Sequence, residues 1–231
     1  HQTGIHRDEL IGGLRRLTDA VHAHGGRIFA QLAHAGSQSR VPGNEPLAPS
    51  PVPNALTGRD VRAASAAEIE DAVASFGRAA QRAVEAGFDG IHIHSANGYL
   101  LSEFASPLAN RRTDRWGGSA EARDTFARDV VRAVRDAVPE NVAVMMKVGF
   151  VDHVPGTEGL GVAETVRRVG VLVGEGLDAV EVSCNVMYVP TDSAKQYVAV
   201  DTRRALADAL VHRIGKPAAD AFTGLAIRRT P

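Results

Sequence analysis

The chain has 231 residues, is 44% hydrophobic and 23% charged, and carries a formal net charge of −1. Such fractions belong to a globular chain long enough to bury a core, and they exclude wholesale disorder. The 26 basic and 27 acidic residues cancel, which argues against an electrostatic nucleic-acid binder. No apolar run approaches the roughly 20 residues that span a bilayer, so no membrane partner is expected. The single cysteine, Cys184, excludes an internal disulfide, a cysteine-ligated iron–sulfur cluster and a four-cysteine zinc site, and no metal is expected. No signal-peptide pattern opens the chain, so a cytoplasmic location is the expectation. Residue 1 is His rather than Met, which suggests a chain that is processed, trimmed or part of something longer.

In chain order, residues 8–24 come first. Leu10, Ile11, Leu14, Leu17 and Val21 fall at helical spacing, and Gly25-Gly26 supplies the stop. The apolar run 27–33 has the form of a strand. A loop over residues 36–62 follows, with Pro42, Pro46, Pro49, Pro51 and Pro53 precluding helix and central strand alike. Loops of that length are usually functional or disordered. Ser65-Ala-Ala-Glu68 has the form of a capping box and opens a helix that ends at Gly87. A strand is expected over residues 90–94, and a helix capped by Ser119 runs up to Pro139. The run 142–148 is the next strand. Val162, Val166, Val169 and Val173 mark a helix closed by Gly174 and Gly176, and residues 179–183 form another strand. Leu206, Leu210 and Ile214 mark a last helix, and residues 216–221 start a fifth strand.

Strict alternation of helix and strand implies an α/β fold with a parallel sheet and right-handed crossovers. An open doubly wound sheet and a (β/α) barrel both fit. No Gly-rich dinucleotide fingerprint follows a strand, since Gly25-Gly26 precedes one, and this favours the barrel. The helix before the first strand implies that another strand came earlier.

In a (β/α) barrel the catalytic groups gather at the C-terminal ends of the strands. Those ends carry Gln31 and His34, then His92, His94, Asn97 and Tyr99, then Lys147 and Gly149, then Ser183 and Cys184. Strand alternation puts His92 and His94 on one side, either into the barrel or out toward the helices. A lone histidine on an apolar strand is more often a satisfied core residue than a site residue. Here Asn97 and Tyr99 follow at once. An imidazole N–H and an amide can both donate to one carbonyl oxygen, and a phenol can deliver a proton. Lys147, one of three lysines in the chain, ends an otherwise apolar strand. It can be a Schiff-base amine, a fixed positive charge facing an anionic cofactor, or a side chain reaching the rim. Gln31 can pair with a heterocycle or simply serve as a hydrogen-bonding group at the barrel rim. Cys184 is most simply a small buried hydrophobe.

At His94-Ser-Ala-Asn-Gly-Tyr-Leu-Leu101 the sequence resembles the old yellow enzyme family of flavin-dependent oxidoreductases. The likeness continues through Ser106-Pro107 and Asn110-Arg-Arg-Thr-Asp-Arg-Trp-Gly-Gly-Ser119, and upstream through Phe29-Ala-Gln-Leu-Ala-His-Ala-Gly36 and Ser50-Pro-Val-Pro53. It runs from about Gly4 to Gly215, and the block from His94 to Ser119 is highly specific.

The resemblance implies a (β/α)8 TIM barrel with FMN at its C-terminal mouth. NADH or NADPH reduces the flavin, which passes hydride to the activated C=C of an α,β-unsaturated carbonyl or related small molecule. His94 and Asn97 match the positions that bind the substrate oxygen, and Tyr99 matches the proton donor. Gln31 matches the contact to the flavin pyrimidine edge. Lys147 stands where the family carries Arg or Lys beside flavin N1 and O2, where a cation stabilises the reduced flavin. The sequence departs from the family at His92, where Glu is frequent, and at Ala122, where Asn is usual. The resemblance further implies two earlier strands that contact the flavin and glycine turns after strands seven and eight that hold the FMN phosphate, and neither has a counterpart in this sequence. The expectation is therefore a single barrel domain over 1–231, incomplete at both ends, with about strands 3 to 7 and a proline-rich active-site loop at 36–62. Alone, such a chain is expected to hold FMN poorly. A homo-oligomer is compatible with all of this. Two alternatives stand beside the reductase: a barrel aldolase or lyase using Lys147, and an inactive barrel fragment.

Overall fold

The computed structural model describes residues 3–43, 45–54, 58–152, 158–183 and 185. The expected helix at 206–214, the expected strand at 216–221 and Cys184 lie outside them. Four parallel strands form the main sheet in the order β1 (Phe29–Leu32), β4 (Gly90–Ser95), β5 (Ala143–Gly149), β6 (Ala179–Ser183). Helices α1 (Ile11–His22), α2 (Ala66–Glu85), α4 (Ala120–Ala137) and α5 (Val162–Gly174) alternate with them. Among the described residues, no helix is long and apolar enough to cross a membrane.

Helices α2 and α4 begin where a serine caps them. At α2 the Glu68 N–H donates to Ser65 Oγ, and the Ser65 N–H donates back to the Glu68 carboxylate. Ser119 Oγ accepts from the Ala122 N–H at the start of α4. Inward faces follow the helical period: Ile69, Ala72, Phe76, Ala80 and Ala83 on α2, Phe126, Val130, Val131 and Val134 on α4. One device ends α2 and recurs at the end of α5. Gly87 and Gly176 take left-handed φ of 88° and 101°, and Phe88 and Leu177 fold back to donate to Ala83 O and Leu172 O. Asp89 and Asp178 come next, and their carboxylates accept from the Ile28 and Val144 N–H groups. The next strand is thereby set beside the previous one.

The sheet has two unlike faces. Ala30, Leu32, Ile91, Ile93, Val144, Met146, Val148 and Val180 are buried among the helices. Burial of each large side chain among them contributes about 1.5–3 kcal/mol. The register places Gln31 beside His92 and Met145, and His94 beside Lys147 and Glu181, on the opposite, concave face. At the bottom of that face Gly90 admits the Phe29 ring, because a Cβ there would come within 2.2 Å of Phe29 Cε1.

Two features depart from the expectation. The 36–62 segment has structure of its own: a 3-10 turn at Gly36–Gln38 and a two-residue parallel pair, β2 (Leu47–Ala48) with β3 (Arg62–Ala63). Prolines exclude long elements, but the two residues of β2 fit between Pro46 and Pro49. The stretch after Tyr99 is a helix, α3 (Leu100–Ala105), in which all six residues are buried. It has no polar face, so amphipathic periodicity does not reveal it.

Candidate active site

The candidate residues His94, Asn97 and Tyr99 lie at the C-terminal end of β4, with Gln31 and Lys147 on the concave face beside it. His94 is 6% exposed. Its Nδ1 accepts from the Ala96 N–H at 3.3 Å, which leaves the proton on Nε2 and makes that atom a donor. Burial, reinforced by Lys147 and then His92, pulls the imidazole down to about 4, so it is neutral at physiological pH.

The chain then reverses sharply. Asn97 and Gly98 take consecutive left-handed conformations, with φ of 59° and 73°. Asparagine tolerates this region better than most residues and glycine adopts it without cost. The turn carries the Asn97 amide over the end of β6, where its Nδ2 donates to Ser183 Oγ at 3.4 Å. It also brings Tyr99 back against His94, the two rings meeting edge to face at 4.7 Å and 83°. Tyr99 is the N-cap residue of α3, so the start of that helix fixes its backbone.

Below this turn a polar relay crosses the sheet. Gln31 Nε2 lies 2.9 Å from His92 Nδ1, and His92 Nε2 lies 3.3 Å from Glu181 Oε2. The other oxygen of Glu181 lies 3.2 Å from Lys147 Nζ. The side-chain direction left open for His92 and His94 is therefore resolved: both point into the barrel. Gln31 and Lys147 do not touch, because His92 and Glu181 stand between them. Desolvation lowers the His92 pKa, opposed by Glu181 and assisted by Lys147.

Glu181 escaped sequence reasoning. Its signal was nonetheless present: a charge between Val180 and Val182 in a short apolar strand, the same signature that drew attention to Lys147. The specific block after Tyr99 is scaffolding. Asn110 Nδ2 donates to Phe104 O and Trp116 O at 2.8 and 2.7 Å. Arg112 Nη1 donates to Pro49 O and Ala64 O at 2.9 and 2.7 Å, which ties the middle of the proline-rich segment and the chain just past its end to this block. Asp152 accepts from Ser106 Oγ, the Leu160 N–H and Asn185 Nδ2, joining the loops after β5 and β6 to α3.

A model of the NADH:flavin oxidoreductase / NADH oxidase family matches residues 1–214. The chain belongs to that family. It is 38% identical over 220 residues to the probable NADH-dependent flavin oxidoreductase YqiG of Bacillus subtilis (strain 168), covering 93% of this chain and 57% of that protein. It is 42% identical over 180 residues to an NADPH dehydrogenase of Geobacillus sp. (strain WCH70), covering 78% of this chain and 52% of that one. Morphinone reductase superposes with a TM-score of 0.76 at 29% identity, over 92% of this chain and 60% of its own. The chain thus spans little more than half the length of these relatives, and its sheet is part of an old-yellow-enzyme-type TIM barrel.

The concave face fits the FMN of this family. Among the described residues it offers Gln31, whose amide can both donate and accept, and one cation, Lys147, for an anionic ring edge. Both residues lie on the same face as the His94 donor.

Proposed function

We propose that the protein carrying this chain is an FMN-dependent oxidoreductase. It takes hydride from NADH or NADPH and delivers it to the activated C=C of α,β-unsaturated carbonyl or related compounds. The observation that carries this reading is the left-handed Asn97-Gly98 turn, which sets the Tyr99 phenol against a neutral His94 whose Nε2–H is a donor. When bound, FMN supplies a two-electron carrier that accepts hydride from the nicotinamide and releases it to the alkene.

The chain's own residues do the rest. His94 Nε2–H and the Asn97 amide donate to the substrate oxygen, where negative charge develops as the β-carbon gains hydride. A neutral imidazole suits this role, because it donates without losing its proton to the oxyanion. Tyr99 gives its phenolic proton to the α-carbon. Gln31 would hydrogen-bond the flavin ring edge, and Lys147 would supply positive charge to its anionic side. Ser183 restrains Asn97, so the amide meets the substrate pre-oriented.

Against the aldolase alternative stands the Glu181 carboxylate, 3.2 Å from Lys147 Nζ, because a Schiff-base lysine needs a free amine. The test is transient kinetics on the FMN-loaded protein. Tyr99→Phe should leave flavin reduction by nicotinamide within about twofold and slow the alkene half-reaction by about 10²–10⁴. Equal losses in both half-reactions would refute the proton-donor role. Absence of any flavin reduction in the wild type would refute the function.

A further inference from the structure

Glu181 is the one carboxylate among the described residues that reaches the concave face, and it reaches two partners at once. Oε1 lies 3.2 Å from Lys147 Nζ, and Oε2 lies 3.3 Å from His92 Nε2. The register explains the reach. Glu181 on β6 is the lateral neighbour of Lys147 on β5, which is the lateral neighbour of His94 on β4. His92 sits one pleat below His94 on the same strand.

The proton positions are consistent along the relay. Gln31 Nε2 is a donor only, so His92 Nδ1 accepts and the His92 proton sits on Nε2, facing Glu181. This Nε2 is buried and makes no aligned hydrogen bond among the described residues; the Glu181 carboxylate at 3.3 Å is the charge it faces. Glu181 itself has a half-open side chain, at 46% exposure, so it remains accessible from the barrel mouth. The carboxylate facing Lys147 comes from β6, and β4 contributes His92 to the same cluster.

We propose that Glu181 is a positioning and charge-balancing residue: it holds Lys147 and His92 in place and partly neutralises the cation that the concave face presents to the flavin. The inference rests on the flavin reading given above. Its physical content is simple. An isolated ammonium beside the ring edge favours the reduced, more negative flavin, and a carboxylate sharing that ammonium reduces the preference. Removing the carboxylate should therefore make the bound flavin easier to reduce. The charged and titratable groups facing Glu181 are Lys147 from β5 and His92 from β4, with His94 beyond Lys147.

Two measurements test this on the full-length protein that carries this chain, as wild type, Glu181→Gln and Glu181→Asp. The first is an NMR titration of the His92 imidazole without flavin. Glu181→Gln should weaken proton binding at His92 about tenfold through loss of the facing charge, and Glu181→Asp should restore most of it. The second is the FMN midpoint potential. Glu181→Gln should raise the preference for reduced over oxidised flavin about tenfold, an upward shift of about 30 mV for a two-electron couple. An unmoved His92 titration overturns the pairing, and an unmoved potential overturns the charge-balancing role. Failure of the wild type to take up FMN refutes the flavin reading and the charge balancing that depends on it, while the His92 titration still decides the pairing.

Discussion

The Ser37 hydroxyl meets the Glu103 carboxyl in the interior, where the 3-10 turn opening the proline-rich segment packs on helix α3. Glu103 is 3% exposed, and burial pushes its carboxyl up to about 8 despite the bonds from the Ser37 side chain and N–H. It is therefore protonated in the folded chain at neutral pH. Once unfolded, it ionises near its ordinary value of 4.5. Between those values the folded state holds a proton that the unfolded state has lost, so its contribution to stability is full below 4.5 and is lost as pH rises through about 8. Glu103→Gln keeps the shape without the titration. Urea melts from pH 5 to 9 should show wild type weakening relative to Glu103→Gln up to about pH 8, then levelling; parallel curves would sink the assignment.

His94 titrates with the opposite consequence. Its folded value, about 4, lies below the ordinary 6.5. In that window the unfolded chain binds a proton that the folded chain refuses. Stability from this residue is present above 6.5 and lost as pH falls through about 4. NMR of the imidazole at pH 6 should find it neutral and protonated on Nε2. A protonated ring at that pH would contradict both the burial argument and the donor role.

The turn that orients the site separates geometry from chemistry. Gly98→Ala puts a Cβ at left-handed φ and within 2.9 Å of Gln38 Nε2, which itself donates to Asn97 O. Thermal or urea unfolding should register a loss of about 1–2 kcal/mol. Asn97→Gly keeps the backbone conformation and removes only the amide. It should unfold nearly as the wild type does, yet bind a phenolic ligand with about tenfold lower affinity, by titration calorimetry. Unchanged ligand affinity in Asn97→Gly would remove the amide from the site.

Arg168 is 1% exposed, with Nη2 donating to Ser95 Oγ at 3.1 Å, directly behind His94. Its counter-charge is Asp124, with Oδ1 3.5 Å from Nε, and that carboxylate also pairs with Arg167 at 2.6 Å. Asp124→Ala leaves the buried guanidinium uncompensated and should cost about 3–5 kcal/mol. Arg168→Met removes the buried charge along with its need and should cost clearly less. Equal losses on chemical denaturation would show that packing dominates this pair.

The alternation of helices and strands was legible because each buried strand is a short apolar run and the crossover helices α1, α2, α4 and α5 have amphipathic faces, two of them capped by serine. Ser65, Ser119 and the Gly87 and Gly176 stops all perform as their residue types suggest. Helix α3 was not legible, because six wholly buried residues have no polar side to set a period. Gln31, His94, Asn97, Tyr99 and Lys147 could be named from strand ends. Their connections could not, since Glu181 reaches Lys147 and His92 from other strands and no local pattern encodes a register. Glu103 was hidden for the same reason: its partner Ser37 lies 66 residues away.

Along β4, Ile91 and Ile93 pack inward on the helices while His92 and His94 face the barrel. Adjacent residues thus face different environments: the isoleucines are constrained by the volume of the helix-side core, the histidines by the polar neighbours of the opposite face. A new substrate range can be sought at alternate positions, as at Met145, without disturbing what keeps the sheet together. A single inserted residue does the reverse: it carries the isoleucines into the mouth and the imidazoles into the hydrocarbon.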